Sequence, residues 1–415
     1  MINYSKTNWF LMYVYFYIFI TPLHFSKSQL SVSSLLLLLL AIFKYKKTLL
    51  IKIKEYAFFT PISLFFAFIL YIYLSTLWSN PFSEGLEHIN TFYKYYFLFV
   101  PAILVSLNKE QAIIGIKVLI FSLGFYSIYS ILIYLGFFNS KVYGFQSSNP
   151  TGHLRYLIST QYMVIAFFTA SLFSLYAKSS KEKLIFLIVA LLSFFALFIN
   201  NSRTAQLSFL FIFIIFLIIS LKKYLFNLKL ILIFLIIVSS SINFLYQNNK
   251  LDRFVVAYNQ SQQVFLQNQY NGSVGVRLYF NKAGIAIFKD DPLLGTGPKD
   301  NRIILQEIQE KDQNYNSKIY NHFHSEHIDI LTAYGIIGYF LIFLSFTTLI
   351  YKLKKEPLYY YLSLAVFLCL FFNSFANKTL SVKPLNYVYI LFFLLFAIIA
   401  LKSIDIKKGK IENNS

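Results

Sequence analysis

Long apolar runs separated by short polar segments dominate the pattern along this chain. Most of these runs approach the roughly 20 residues that a helix needs to cross a hydrocarbon layer. The second and fourth are short for a full span. The pattern predicts an all-α integral membrane protein with about twelve transmembrane helices. The runs are 8–25, 29–43, 56–78, 92–107, 112–137, 156–177, 184–200, 204–221, 227–246, 326–351, 357–374 and 385–402.

One polar stretch, 247–325, lies between the ninth and tenth runs and is too long for a simple connector. Residues 276–289 and 301–311 within it show the apolar spacing of amphipathic helices, which we expect to cap the bundle or lie on the membrane. Residues 248–275 are rich in Asn and Gln and predict a loop. A proline- and glycine-rich turn, 291–298, separates the two amphipathic helices.

Composition supports the membrane class, since 57% of the residues are hydrophobic and only 13% are charged, against about 25% charged in a soluble domain. The net charge of +20 could indicate a nucleic-acid partner. The lysines instead cluster in short loops between apolar runs, and no basic stripe lies on a recognisable module, so we predict no nucleic-acid partner. The single cysteine, Cys369, excludes an intrachain disulfide.

Lysine and arginine also predict the orientation of the chain. With the N-terminus in the cytoplasm, the cytoplasmic segments hold twenty lysines and the short outer loops hold six Lys or Arg residues. We expect the first apolar run to be retained as a span. The predicted organisation is transmembrane helices 1–9 in 1–246, a periplasmic loop in 247–325, transmembrane helices 10–12 in 326–403 and a cytoplasmic tail in 404–415.

The candidate general base is His324, in the sequence His322-Phe323-His324-Ser325-Glu326 at the start of the tenth run. Histidine takes and returns a proton near neutral pH. A helical register would place His324 about three turns before Gly335 on nearly the same face. Gly335 and Gly338 would let a neighbouring helix approach closely. The alternatives are a structural histidine or a zinc site that also uses His327.

Arg203 at the edge of the eighth run and Arg277 in the predicted helix 276–289 are the candidate anion ligands. A guanidinium offers several donors in a fixed fork that suits phosphate. The alternative for Arg203 is an anchor at the membrane surface, and for Arg277 a solvated helix face. Gly295-Thr296-Gly297 follows no strand and the chain has no Walker A sequence, so no nucleotide site is predicted.

These motifs together resemble the signature of the bacterial O-antigen ligases. The segments that carry the resemblance are Asn201-Ser202-Arg203-Thr204-Ala205, Val276-Arg277-Leu278, the turn Asp291-Pro292-Leu293-Leu294-Gly295-Thr296-Gly297-Pro298, and His324-Ser325 followed after nine residues by Gly335-x-x-Gly338. Ser325 stands where Asn is more usual in the superfamily. The resemblance implies a fold like that of the GT-C class of membrane glycosyltransferases.

The resemblance further implies transfer of a glycan from undecaprenyl diphosphate to lipid A–core oligosaccharide, at the periplasmic face of the bacterial inner membrane. His324 would be the catalytic base, and Arg203 and Arg277 would bind the diphosphate. His322, Ser325 and Asn201 are candidate supporting residues. Membrane lipids are the expected surroundings, and neither a metal nor a cofactor is expected.

Three alternatives remain open. An O-antigen polymerase would join repeat units that are linked to the same carrier lipid. A protein O-glycosyltransferase is disfavoured because little sequence follows the last apolar run. A lipid or polysaccharide transporter would carry charges near the bilayer midplane and broken helices in paired halves.

Overall fold

The computed structural model describes residues 8–26, 28–142, 145–146, 149–223, 239, 243, 246–247, 252–312, 315 and 318–412. These parts are helical except for loops, two 3₁₀ turns (Lys46–Thr48 and Ser75–Trp78) and an antiparallel pair of two-residue strands, β1 (Lys141–Val142) and β2 (Phe145–Gln146). The helices are α1 Trp9–Leu23, α2 Gln29–Tyr45, α3 Leu49–Ala57, α4 Thr60–Leu74, α5 Phe82–Tyr93, α6 Tyr96–Ser106, α7 Lys109–Tyr134, α8 Tyr156–Tyr176, α9 Ser180–Ile199, α10 Arg203–Lys223, α11 Asp252–Gln267, α12 Gly272–Asp290, α13 Asp300–Lys311, α14 Glu326–Lys352, α15 Pro357–Ser374 and α16 Lys383–Glu412.

The apolar helices form an all-α membrane protein. In the described residues, seven helical segments are long and apolar enough to cross a membrane: 60–78, 109–134, 156–176, 180–199, 326–352, 357–374 and 383–403. Three shorter apolar helices, 9–23, 29–45 and 203–219, coincide with the predicted first, second and eighth spans. The predicted ninth span, 227–246, lies almost entirely outside the described residues. The total of twelve spans stays a prediction.

The predicted fourth span, 92–107, is not one continuous helix. The structure divides it between the end of amphipathic α5 and the eleven-residue α6, with turn residues at Lys94 and Tyr95. Eleven residues rise about 16 Å, roughly half the thickness of the hydrocarbon layer. Averaged hydrophobicity does not detect such a break, because both pieces are rich in aromatic residues.

Helix α16 lies at the centre of the bundle. Every side chain from Pro384 to Ala400 is buried, and its partners include α1, α7, α14 and α15. A helix that is apolar on all sides is expected to be surrounded by protein or lipid. The polar loop 375–382, which leads into α16, is therefore fixed at one end of the bundle.

A second, smaller hydrophobic core lies at that same end. It is built from the segment 252–323 and includes Tyr279, Phe280 and Phe323. Helices α12 and α13 confirm the two predicted amphipathic helices. The prediction of a loop over 248–275 is wrong for residues 252–267, which form helix α11. Val264 of this helix packs in the small core, and the Gln260 side chain accepts a hydrogen bond of 3.1 Å from the Val274 backbone. These contacts with α12 outweigh the weak helix propensity of an Asn- and Gln-rich sequence.

Helix α14 is interrupted at Gly335, whose φ is +62°. The turn 291–298 enters the interruption and exchanges backbone hydrogen bonds with it. Thr296 donates to the Thr332 carbonyl at 2.9 Å, and Ile336 donates to the Pro292 carbonyl at 2.9 Å. The expected contact of a neighbouring helix with Gly335 is therefore wrong, because backbone from this turn occupies the place.

Gly338 matches the expectation of a neighbouring helix. A Cβ atom at this position would lie 3.2 Å from the Tyr71 ring of α4. The Tyr71 hydroxyl also donates to the carbonyls of Leu294 and Tyr334, each at 3.1 Å. Helix α4 thus holds the inserted turn and the interrupted helix together.

Candidate active site

His324 lies just before α14, in a short turn where its own φ is +54°. The helix begins two residues later, so the register that placed His324 on the same face as Gly335 is wrong. The imidazole stacks on Phe280, with 5.8 Å between ring centroids and 13° between planes, and meets Tyr320 edge-on at 5.4 Å. The aromatic side chains of the small core therefore fix the orientation of the ring.

Arg203 and Arg277 are brought together by Ser273 at the start of α12. Arg203 Nη2 donates to the Ser273 hydroxyl at 2.8 Å, and Arg277 Nη1 donates to the Ser273 carbonyl at 3.2 Å. Arg203 is the first residue of α10, so one guanidinium comes from a bundle helix and the other from the 252–323 segment. Two positive charges thus converge on one short stretch of backbone.

Burial is the largest cause of the pKa shifts of Arg277 and His324. It lowers the pKa of Arg277, while Tyr156 opposes and Arg203 adds to the effect. It also lowers the pKa of His324 to about 4, with smaller contributions from Arg277 and Lys378. His324 is therefore neutral at pH 7, as a general base must be. Within the described part of the chain, the buried Nε of Arg277 has no hydrogen-bond acceptor.

A first cavity of about 390 Å³ brings Arg277 and His324 to the same space. Its wall also includes Ser273, Lys318 and Tyr320. The cavity is close to the lower limit of small-molecule sites, which are about 300–1,000 Å³. The cationic lining suits an anion, and the imidazole lies at its edge as a proton acceptor.

His324 also lines a second cavity of about 210 Å³. This cavity has Arg155, His322 and Lys378 as its basic groups, together with apolar residues from the first turns of α8 and α16. The rings of His322 and His324 are 4.2 Å apart. The proposed supporting residue His322 is thus beside His324, and its pKa is lowered to about 3 by burial, followed by Lys378 and His324.

Ser325 and Asn201 line neither cavity, and each instead makes hydrogen bonds within the protein. The Ser325 hydroxyl accepts from the Ile328 backbone at 3.4 Å, as a helix N-cap, and donates to the Ser374 carbonyl at 3.0 Å. The Asn201 backbone donates to the Asn149 side chain at 3.0 Å. Both residues fix backbone next to a candidate site residue, and their roles stay predictions.

The possible three-histidine zinc site is not formed. The two ring nitrogens of His327 contact the Phe371 carbonyl at 2.9 Å and the Tyr339 hydroxyl at 3.1 Å, among aromatic rings of α14 and α15. No group of three or more His, Cys, Asp or Glu residues placed to hold a metal occurs in the described residues.

The loop 375–382 is part of the site and was not singled out from the sequence. The Glu326 carboxylate accepts from the Thr379 backbone at 2.8 Å and from the Ser381 hydroxyl at 2.7 Å. Asn377 donates to the Thr204 hydroxyl at 3.0 Å. The loop is thereby tied both to the residue after Ser325 and to the residue after Arg203.

A buried ion pair lies beneath this loop. Arg302 Nη2 of α13 donates to the Asp329 carboxylate of α14 at 2.6 Å, and Asn301 donates to the Thr332 hydroxyl at 2.8 Å. Burial lowers the pKa of Arg302, but Asp329 outweighs it and the net shift is upward. The pair joins the small core to the membrane helix that follows His324.

The sequence contained one signal for these missed residues. Glu326 and Asp329 fall in an apolar run, where carboxylates are costly and usually mark a functional or strongly paired position. Lys378 gave a weaker signal, because a lysine in a short polar loop is ordinary.

Comparison with known proteins gives a family match over the segment that contains the site residues predicted from the sequence. A family model described as O-Antigen ligase matches residues 188–344, which include Arg203, Arg277 and His324. No curated protein matches the chain.

Proposed function

We propose, from the match of residues 188–344 to the O-antigen ligase family, that this chain transfers a glycan from undecaprenyl diphosphate to lipid A–core oligosaccharide. The family covers ligases and related polymerases, so the acceptor is the part of the proposal that needs its own test. The observation that carries the proposal is the convergence of three residues that are far apart in sequence. Arg277 and His324 line the first cavity, and Arg203 contacts Ser273 in its wall.

In the proposed reaction, an acceptor hydroxyl oxygen attacks the anomeric carbon of the donor sugar. The hydroxyl proton passes to the neutral imidazole of His324. The bond between the anomeric carbon and the diphosphate oxygen breaks, and undecaprenyl diphosphate leaves with the bonding electron pair. His324 then releases its proton to water. No metal ion takes part in the proposed steps.

Arg203 and Arg277 stabilise the charge that develops on the leaving diphosphate. Their guanidinium groups are held in place by Ser273 before the substrate arrives, so little reorganisation is needed during the reaction. The buried Nε of Arg277 gains an acceptor when a phosphate oxygen binds.

We place the segment 247–325 and this site in the periplasm, and both ends of the chain in the cytoplasm. The excess of lysine in the opposite set of short loops supports this orientation. The donor sugar is already activated by its diphosphate, which suits a compartment without ATP.

Deletion of the gene followed by gel analysis of lipopolysaccharide tests the assignment. A ligase defect leaves full-length polymer on its lipid carrier and bare core on lipid A. A polymerase defect leaves core that carries a single repeat unit. Unchanged lipopolysaccharide and carrier-linked glycans would contradict both functions.

A further inference from the structure

The second cavity is lined by basic residues that are not part of the proposed donor site. Arg155 and Lys378 line it, and His324 borders both this cavity and the first one. Its apolar wall comes from Leu157, Ile158 and Leu385 in the first turns of α8 and α16. The cavity therefore has both an apolar wall and cationic groups in its lining.

Lys378 is half-buried and forms no direct ion pair within the described residues. No hydrogen-bond acceptor or carboxylate contacts its Nζ in the part of the chain that the structure describes. Burial lowers the pKa of Lys378 to about 8, with Arg302 as the next cause, while Asp329 and Glu326 oppose the shift. A partly desolvated ammonium without an anion is unfavourable, and a bound anion would remove that cost.

The nearby carboxylates are already engaged. Asp329 pairs with Arg302 at 2.6 Å, and Glu326 accepts from Thr379 and Ser381. The Glu326 contacts hold the loop so that Lys378 faces the cavity, and the Glu326 backbone also donates to the Asn377 carbonyl at 3.1 Å. The chain thus fixes the position of the lysine, while neither carboxylate contacts its Nζ directly in the described residues.

We propose that this second cavity is the acceptor subsite, and that Lys378 binds an anionic group, phosphate or carboxylate, on the acceptor glycan. The proposal rests on the proposed function, because it assigns the first cavity to the donor diphosphate. In a single inverting displacement, the nucleophile approaches the anomeric carbon from the side away from the leaving group. Two cavities that share His324 separate donor from acceptor and leave the base between them.

The test uses full-length purified protein with an undecaprenyl-diphosphate-linked glycan as donor and phosphorylated lipid A–core as acceptor. Lys378→Gln should raise KM for the acceptor about tenfold or more, the effect of losing one charge-assisted hydrogen bond. KM for the donor should stay within about twofold of the wild-type value, and Lys378→Arg should restore most of the acceptor affinity.

Lys383→Gln is the matched control, since it removes a lysine five residues further on that does not line the cavity. It should leave both KM values unchanged. A rise in KM for the donor alone would assign Lys378 to the donor, and equal rises for both substrates would show that its effect is not specific to the acceptor. Either result would overturn the proposal. Unchanged KM values in a folded Lys378→Gln protein would also overturn it.

Modified acceptors identify the anion. Dephosphorylated acceptor or carboxyl-reduced acceptor should raise the wild-type KM to the value of Lys378→Gln and abolish the difference between the two proteins. If neither modification does so, the acceptor anion is not the ligand of Lys378. Wild-type protein that transfers glycan to no acceptor would contradict the proposed function itself, so the two failures are distinguishable.

Discussion

Gly295 and Gly335 meet backbone to backbone: a Cβ atom on Gly295 would lie 2.5 Å from the backbone nitrogen of Gly335. Both glycines have positive φ, at +76° and +62°. The turn that contains Gly295 follows directly after α12, the helix that carries Arg277. Close backbone contact at the interrupted α14 thereby fixes the end of the helix that supplies one of the two guanidinium groups.

Gly295→Ala should displace this turn and reduce transfer activity about 100-fold, the effect of misplacing a site by roughly 1 Å. Gly136→Ala is the control, because Gly136 also has a positive φ, +84°, but has nothing within 4 Å of its Cβ position. Both variants carry the conformational cost of about 1–2 kcal/mol. Transfer rates and unfolding midpoints of both variants are measured in detergent. A larger loss in Gly295→Ala than in Gly136→Ala reports the steric overlap at Gly295, because the conformational cost is common to both. Equal behaviour of the two variants would contradict the structural role of this contact.

The sequence predicted three of the residues that line or adjoin the first cavity. Arg203, Arg277 and His324 were recognisable because a familiar motif surrounds each of them. The contact of the two arginines through Ser273 was not predictable, since Arg203 and Ser273 are 70 residues apart and lie at the start of two different helices. Motifs identify residue types and spacing along the chain, whereas the distance between distant segments depends on tertiary packing.

The hydrophobic pattern predicted neither the interruption of α14 at Gly335 nor the position of Lys378. Hydrophobic periodicity continues through 326–351, so it predicts one uninterrupted helix where inserted backbone replaces the helical hydrogen bonds at Gly335. Lys378 gains its significance from the Glu326 contacts that hold its loop, and these join residues more than 50 positions apart. Helix α11 was missed for a related reason, because contacts with α12 stabilise it.

Asp329→Asn should destabilise the protein strongly because it leaves Arg302 buried without its counter-charge. Removing one partner of a buried pair costs about 3–5 kcal/mol, and the side chains of Arg302 and Asp329 are only 13% and 6% exposed. The control is Glu307→Gln in the pair Glu307–Lys311, whose side chains are 56% and 79% exposed. That change should cost no more than about 0.5 kcal/mol. Unfolding midpoints measured on both purified variants check the contrast, and similar midpoints would contradict it.

The pH dependence of kcat/KM should reflect the lowered pKa of His324. Its neutral form is the proton acceptor, and burial lowers its pKa from the usual 6.5 to about 4. The imidazole therefore stays neutral as the pH falls from 8 to about 5, and kcat/KM should be constant over that range with respect to this group.

Below that range, kcat/KM should decline as the pH approaches about 4. The same shift destabilises the fold below pH about 6.5, because the unfolded chain then binds more protons than the folded one. Retention of the folded state must be checked at each pH by intrinsic fluorescence. A decline centred near pH 6.5 in protein that remains folded would show that the base is a solvated histidine or another group.

Removal of divalent cations should leave transfer unchanged. In the proposed mechanism, Arg203 and Arg277 neutralise the leaving diphosphate, a task that Mg²⁺ performs in many phosphate-transfer sites. Protein dialysed against EDTA should therefore retain the wild-type rate, and added Mg²⁺ or Mn²⁺ should not restore activity to Arg277→Gln. A rate that depends on added cation would show that the two guanidinium groups are insufficient.

The most direct test of the central claim is a transfer assay with purified protein in lipid vesicles. It measures glycan attached to lipid A–core and the undecaprenyl diphosphate released with it. Wild-type protein should form the two products in equal amounts, and Arg203→Gln, Arg277→Gln and His324→Gln should each lower the rate about 100-fold or more. Lys289→Gln, which alters an exposed lysine of the same helix as Arg277, should keep the wild-type rate. Wild-type rates in all three site variants, or no release of undecaprenyl diphosphate by wild-type protein, would contradict the account.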